Sequence, residues 1–155
     1  MSEQPDIAQP PQVGIVTQYV RDLSFESPNA PQALVTGEAR PEIQVGVDVQ
    51  ARSLSETEFE VVLRINAEAR RGDKVSFIAD LQYAGLFSLR NVPKEMMQPL
   101  LLIEAPRLLF PFARRVVADA TRDGGFPPLM LDPIDFAALY QRQRQEAAAQ
   151  PAGTA

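Results

Sequence analysis

The chain has 155 residues and a formal net charge of −5, and it contains neither cysteine nor histidine. This length suits one domain with its own core, and a negative balance without a basic tract argues against nucleic acid or an anionic membrane surface as a partner. The missing residue types exclude disulfides, thiol nucleophiles, catalytic triads built on histidine and the usual zinc sites.

Both ends of the chain have the composition of tails. Residues 1–12 are rich in proline and glutamine, and residues 146–155 are mostly alanine, glutamine, proline, glycine and threonine. Such segments bury too little apolar surface to offset the entropy lost on ordering. We therefore expect disordered tails over 1–12 and 146–155, with one domain over 13–145.

The sequence predicts a cytoplasmic protein. Its first residues are acidic and polar, whereas a signal peptide needs a basic start and an apolar stretch. The longest apolar run, residues 99–103, is far shorter than the roughly 20 residues that span a bilayer.

Alternation with a period of two predicts strands over residues 43–51, 59–69 and 75–83, and a weaker strand over 13–26. Counting along the weaker strand places Tyr19, Leu23 and Phe25 on one face. The opposite face would carry Gln18, Val20, Asp22, Ser24 and Glu26. In the last strand, one face carries Val75, Phe77, Ala79, Leu81 and Tyr83, and the other carries Ser76, Ile78, Asp80 and Gln82. A turn at Gly72 and a crossing loop around Pro28 and Pro31 separate these elements.

Three helices follow the strands. The first covers residues 94–104 with a kink at Pro99, and the second begins near Pro111 and ends at Gly124. The apolar stripe of the second helix is predicted to be Phe112, Val116 and Ala120. The third begins with Asp132 as N-cap and Pro133 in the first helical position. Strands followed by helices predict an α+β fold.

The first helix is apolar on every side over residues 100–103, which suggests that a second subunit covers it. On the predicted sheet, Asp22, Glu26 and Asp80 share the outer face with Ile78. This set is either a solvated face or a docking site for a basic segment. Aromatic residues are core residues by default. A small α+β oligomeric enzyme or ligand-binding protein that uses an outer-face carboxylate stays open as an alternative function.

Several strings in the sequence resemble the SecB family of protein-export chaperones. The strand and loop over residues 18–31 read Gln-Tyr-Val-Arg-Asp-Leu-Ser-Phe-Glu-Ser-Pro-Asn-Ala-Pro. Further matching strings occupy residues 59–63, 83–87, 106–114 and 125–136. The similarity runs from about residue 13 to residue 142 and keeps the order of the strings.

This resemblance implies a four-stranded antiparallel sheet with helices packed on one face, assembled as a homotetramer that is a dimer of dimers. It implies an ATP-independent chaperone, not an enzyme, that needs no cofactor and no metal. Such a chaperone holds newly made precursor polypeptides unfolded and delivers them to the SecA motor of the Sec translocase. SecA would dock through its zinc-bearing C-terminal tail, so the zinc belongs to the partner.

The resemblance also assigns residues. The SecA-binding patch matches Asp22, Glu26, Ile78 and Asp80. A groove for unfolded clients is expected around Phe87, Leu108, Phe110 and Phe112. The apolar face of the last strand, at Ala79, Leu81 and Tyr83, is the expected tetramer interface. The family's crossing loop can carry a tryptophan, but this sequence has Ala33, Leu34 and Val35 there.

Overall fold

A computed structural model describes residues 9–35 and 40–149. In chain order the strands and helices are β1 (Gln12–Glu26), the single turn α1 (Gln32–Val35), β2 (Glu42–Ser53), β3 (Glu58–Arg71), β4 (Lys74–Arg90), α2 (Lys94–Pro99), a π-helical segment (Leu100–Glu104), α3 (Ala105–Asp123) and α4 (Phe136–Ala149). The four strands form one antiparallel sheet in the order β1-β4-β3-β2. The predicted α+β class and four-stranded sheet are confirmed.

The inner face of the sheet, which the helices cover, carries the core. Along the β3–β4 ladder, Leu63 lies opposite Tyr83 and Ile65 lies opposite Leu81. All four side chains are buried, together with Leu109 of α3. Burying such a side chain contributes about 1.5–3 kcal/mol, so the central strands and α3 hold each other in place. Strand β4 runs past its predicted end at Tyr83, because Phe87 and Leu89 continue the same buried alternation.

A β-bulge at Arg21 changes the predicted face assignment of β1. The register shifts between Val20 and Asp22, so Arg21 is the extra residue. Before the bulge, Tyr19 lies on the outer face opposite Ala84, and Val20 lies on the inner face opposite Tyr83. The predicted placement of Tyr19 with Leu23, and of Val20 with Asp22, was therefore wrong. Simple alternation does not count a bulged residue, which is why the sequence pattern missed it.

The helical half is one continuous run from Lys94 to Asp123. At Pro99 the helical pattern changes from α to π, and α3 then starts at Ala105 and passes through Pro111. The prediction that a helix begins near Pro111 was therefore wrong. A proline inside a helix costs about 3 kcal/mol, which the burial of Leu109 and Val117 on either side of it offsets. The helix ends at Asp123 with Gly124 as its C-cap, and Gly125 adopts a left-handed φ of 91°.

The buried stripe of α3 is rotated by one residue from the prediction. Its deeply buried positions are Leu109, Ala113, Val117 and Thr121. Phe112, from the predicted stripe, is 46% exposed. Spacing alone finds an apolar stripe but does not say which of two adjacent stripes faces the sheet.

Helix α4 begins later than predicted. Asp135 is the N-cap, because its Oδ1 accepts a hydrogen bond of 3.0 Å from the Ala138 backbone N–H. Asp132 lies in the extended segment before the helix, where Leu131 is 4% exposed and holds the chain against the core. The helix continues to Ala149 and the first strand starts at Gln12. Most of the predicted tails, residues 1–8 and 150–155, lies outside the described residues, and the tail boundaries stay predictions.

Candidate functional site: an acidic outer face and apolar grooves

The outer face of the sheet brings the four predicted docking residues together on the neighbouring strands β1 and β4. Asp80 lies opposite Ser24, and Ile78 lies opposite Glu26. Asp22 occupies the next outward position of β1. The bulge at Arg21 makes this arrangement possible, because without it Asp22 would point towards the helices.

The acids of this patch differ in their hydrogen bonding. Asp80 is half-buried and accepts a hydrogen bond of 2.8 Å from the Asn66 side-chain amide. Asp22 and Glu26 are exposed, and neither has an ion pair or a side-chain hydrogen bond within the described part of the chain. Two carboxylates are therefore open to a cationic partner beside one aliphatic side chain.

A buried carboxylate that the sequence analysis did not single out lies on the same face. Glu60 of β3 is 5% exposed. Its Oε2 accepts a hydrogen bond from the Tyr19 hydroxyl, and its Oε1 contacts Arg21 Nη1 at 3.1 Å and Arg52 Nε at 2.8 Å. These partners come from the edge strands β1 and β2, so one carboxylate links three of the four strands. Ala84 of β4 lies between Tyr19 and β3, and its small side chain lets the Tyr19 side chain pass over β4 to Glu60.

The Tyr19 hydrogen bond lowers the pKa of Glu60 below its ordinary value, and Arg52 and Arg21 act in the same direction against the effect of burial. Burial raises the pKa of the Tyr19 hydroxyl, and the Glu60 carboxylate raises it further. At neutral pH, Glu60 is therefore ionised and Tyr19 is protonated. A general acid or base needs a pKa near the working pH, and both of these pKa values are shifted away from neutrality. The arrangement is therefore suited to a structural role and not to proton transfer.

The four predicted client-binding residues separate into two pairs. Phe87 and Phe110 are 1% and 9% exposed and belong to the core, so they do not offer a surface to a client. Leu108 and Phe112 are 48% and 46% exposed on α3. The ring of Phe112 stacks on Tyr83 with 6.4 Å between centroids, which leaves its other face open.

The predicted tetramer-interface residues also lie in the core of the single chain. Ala79, Leu81 and Tyr83 are 1%, 1% and 7% exposed, because Leu81 and Tyr83 pack in the core under the helices and Ala79 packs in the aromatic cluster with Phe77 and Phe126. They are thus not available as a contact surface for a second copy. Uncovered apolar residues on the inner side lie instead on the two edge strands, with Ile15, Val20 and Leu23 on β1 and Ile43 and Val45 on β2.

A mostly apolar groove of about 480 Å³ opens at the end of the β3–β4 hairpin. Its lining residues come from the start of β2, the hairpin and the loop after α3: Arg40, Pro41, Ile43, Arg71, Phe77, Phe126, Pro127, Pro128 and Leu129. The rings of Phe77 and Phe126 lie 5.0 Å apart. The Leu129 backbone N–H donates to Thr121 Oγ1 at 2.9 Å, which fixes the loop on α3. Both rings are buried, at 3% and 9% exposed, as expected of core aromatic residues, so the exposed apolar lining of this groove is Ile43, Pro127 and Pro128.

A second groove of about 540 Å³ runs between edge strand β2 and the helical segment at Gln98, Leu101 and Leu102.

Among residues 9–35 and 40–149, no group of three or more acidic side chains is arranged to hold a metal ion. No helix in those same ranges is long and apolar enough to cross a membrane.

Comparison with known proteins agrees with the resemblance seen in the sequence. The family model described as Preprotein translocase subunit SecB matches residues 6–147. A protein-export protein SecB from Maricaulis maris is 58% identical over 147 residues, which is 95% of this chain and 86% of that protein. Another from Bradyrhizobium sp. is 54% identical over 149 residues, which is 96% of this chain and 92% of that protein.

Among solved structures, a SecB-like chaperone from Mycobacterium tuberculosis, in complex with a peptide from the HigA1 antitoxin, has a TM-score of 0.66 to this chain. The two are 16% identical, and the match covers 79% of this chain and 90% of that one, so it supports the fold alone. The family model and the relatives with more than half of their aligned residues identical cover nearly the whole chain, and the chain therefore belongs to the SecB family of protein-export chaperones.

Proposed function

We propose that this chain is an ATP-independent holdase of the cytoplasm, which keeps newly synthesised precursor proteins unfolded and delivers them to SecA. The observation that carries the client-binding half is the open groove whose exposed apolar lining is Ile43, Pro127 and Pro128, with the buried rings of Phe77 and Phe126 behind it. An apolar surface that the chain itself leaves uncovered suits binding of non-native segments, whose apolar side chains are exposed.

We propose no catalytic activity for it. Glu60 is the one acidic side chain that is fully buried among the described residues, and it is held ionised by two arginines and a tyrosine. A carboxylate committed to three partners is poorly placed to transfer protons, so no observation favours the enzyme alternative.

The holdase proposal is tested by measuring aggregation of an unfolded, signal-bearing precursor. The purified chain should suppress aggregation without ATP, and binding should show a negative heat-capacity change because apolar surface is buried. Failure to suppress aggregation would contradict the proposal.

The groove is tested with a matched pair of variants on β2. Ile43 lines the groove and is 42% exposed, whereas Val45 is 45% exposed on the same face of the strand and does not line it. Ile43→Ser should weaken client binding by several-fold, and Val45→Ser should leave it unchanged. Equal effects of the two substitutions would show that clients bind elsewhere, with exposed Leu108 and Phe112 as the next candidates.

The acidic patch of Asp22, Glu26, Ile78 and Asp80 is the proposed docking site for the zinc-bearing C-terminal tail of SecA. Unpaired carboxylates can bind lysine and arginine, and Ile78 adds an apolar contact. Exposed pairs contribute about 0.2–1 kcal/mol each, so single neutralisations should weaken docking by several-fold at most. The double substitution Asp22→Lys with Asp80→Lys should nearly abolish tail binding and spare client binding. Unchanged tail affinity, or equal loss of both, would show that these acids form only a solvated face.

The proposed assembly is a homotetramer, a dimer of dimers with the helices between the sheets. Its support is the set of apolar side chains that one chain leaves exposed on its helix side: Ile15, Val20, Leu23, Leu108 and Phe112. Sedimentation should show about four chains per particle, with dimers as the dissociation product.

A further inference from the structure

The position of the Arg21 side chain bears directly on the acidic patch. Arg21 immediately precedes Asp22 and is the extra residue of the β-bulge. Its guanidinium does not pair with the neighbouring Asp22. It reaches across the sheet instead, where Nη1 lies 3.1 Å from Glu60 Oε1 on β3.

This geometry matters for any cationic partner. A guanidinium tethered next to Asp22 acts at a high effective concentration, because its binding to that carboxylate is intramolecular. A lysine or arginine of an incoming tail would have to displace it. With Arg21 bound at Glu60, the Asp22 carboxylate has no ion pair within the described residues.

We infer that Glu60 is a positioning residue for the docking patch: by holding the Arg21 guanidinium at the middle of the sheet, it keeps Asp22 open to a basic partner. This inference rests on the proposed docking function. It assigns to a buried acid of β3 a role in recognition on β1.

The charge of Glu60 itself is too distant to act directly on the patch. Glu60 lies opposite Leu86 of β4, and Asp22 lies opposite Gln82 of the same strand. Leu86 and Gln82 are four residues apart. At a strand rise of about 3.3 Å per residue, this places the two carboxylates on the order of 13 Å apart along the strand. That separation exceeds the Debye length of about 8 Å at physiological salt, so Glu60 acts through Arg21.

A double-mutant cycle tests this inference, with the isolated zinc-bearing SecA tail as the titrant and calorimetry as the readout. Glu60→Gln keeps the shape and loses the charge, so Arg21 is released to compete for Asp22. Tail affinity should fall about two- to fivefold, as expected for one exposed ion pair. Arg21→Gln should bind the tail at least as tightly as the wild type. The double variant should match Arg21→Gln, because no competitor is left.

Two control variants separate this effect from general damage. Arg52→Gln removes the other arginine on the same Glu60 oxygen and leaves Arg21 in place, so tail affinity should equal that of the wild type. Glu104→Gln removes one negative charge at an exposed helical position and should also have no effect. Client binding should be the same for all variants.

The test compares the effect of Glu60→Gln on tail affinity in the chain that has Arg21 and in the chain that has Arg21→Gln. If Glu60→Gln weakens tail binding equally with and without Arg21, its role is structural and the inference is overturned. Wild-type affinity for Glu60→Gln overturns it as well. If Glu60→Gln does not fold, Glu60→Asp is used instead, because it keeps the charge but shortens the side chain. Glu60→Asp should weaken tail binding, and adding Arg21→Gln should restore it.

A wild-type chain that does not bind the tail overturns the docking proposal and this inference together. Loss of binding in the Asp22 and Asp80 double variant without any effect at Glu60 overturns this inference alone.

Discussion

Glu60 and Asp22 are both carboxylates on the outer face of the sheet, but their surroundings give them different properties. Glu60 is 5% exposed and has three side-chain partners, whereas Asp22 is exposed and has none within the described residues. A buried charge is tolerated only when it is paired and hydrogen-bonded. The partners of Glu60 thus explain how an acid can occupy this position, and the exposure of Asp22 leaves it free for recognition.

Acid should destabilise the protein through Glu60. The pKa of its carboxyl in the folded chain lies below the ordinary value of 4.5, so the folded state binds this proton more weakly than the unfolded chain. The stability that Glu60 contributes is complete above that ordinary value and is lost as the pH falls through the lower folded value. Urea unfolding at a series of pH values should show a steeper acid-side loss for the wild type than for Glu60→Gln. Glu104→Gln should follow the wild type, and parallel curves for the wild type and Glu60→Gln would contradict the assignment.

At the scale of elements, β1 and α4 show how one residue sets the geometry of a whole segment. The bulge at Arg21 turns the acids of β1 outward and places Leu23 and Phe25 on the inner side. The ring of Phe25 stacks with that of Phe77 at 5.8 Å between centroids, so burial of Phe25 favours the same register. In α4, the choice between two aspartates as N-cap fixes where the helix starts.

The helix cap gives a matched test. Asp135→Ala should lower the free energy of unfolding by about 0.5–2 kcal/mol, because the Ala138 N–H loses its acceptor. Asp132→Ala should have little effect, since Asp132 is exposed and precedes the helix. Urea unfolding of both variants checks this, and a larger effect at Asp132 would contradict the assigned helix start.

For the whole molecule, the main feature is that helices cover only part of the inner face of the sheet. Helix α3 packs on β4 and β3, while Val20 and Leu23 of edge strand β1 are 45% and 43% exposed. An exposed apolar edge strand invites pairing with another chain, and a second subunit would cover it.

The assembly prediction contrasts an exposed leucine with a buried one. Leu23→Arg should shift the particle to smaller species while circular dichroism stays native, because the substitution adds a charge to the proposed contact surface. Leu81→Arg should instead unfold the chain, since Leu81 is 1% exposed in the core and a buried unpaired charge costs several kcal/mol. Sedimentation together with circular dichroism distinguishes the two results. A folded Leu81→Arg dimer would contradict the core assignment.

Part of this structure could be predicted from the sequence because it depends on local periodicity. Alternation from Ile43 to Ala51 and from Phe59 to Ala69 predicted two strands correctly, and the matching strings between residues 18 and 136 indicated the family. The outward position of Asp22, Glu26, Ile78 and Asp80 was also predicted correctly. Asp22 and Glu26 both follow the bulge in β1, and Ile78 and Asp80 lie on a regular part of β4, so counting by two holds for each pair.

The tertiary structure decided what periodicity cannot. Whether Phe112 or Ala113 faces the sheet, and whether Leu81 is in the core or at an interface, depends on which elements pack together in space. The link between Glu60 and Arg21 joins residues 39 positions apart in sequence, and it forms only because β4 places β1 and β3 on either side of it. The sequence by itself determined the four strands, the family and the composition of the patch. Only the packing of distant strands and helices determined which of its apolar residues are core and which acid is buried, because burial depends on neighbours that local sequence does not specify.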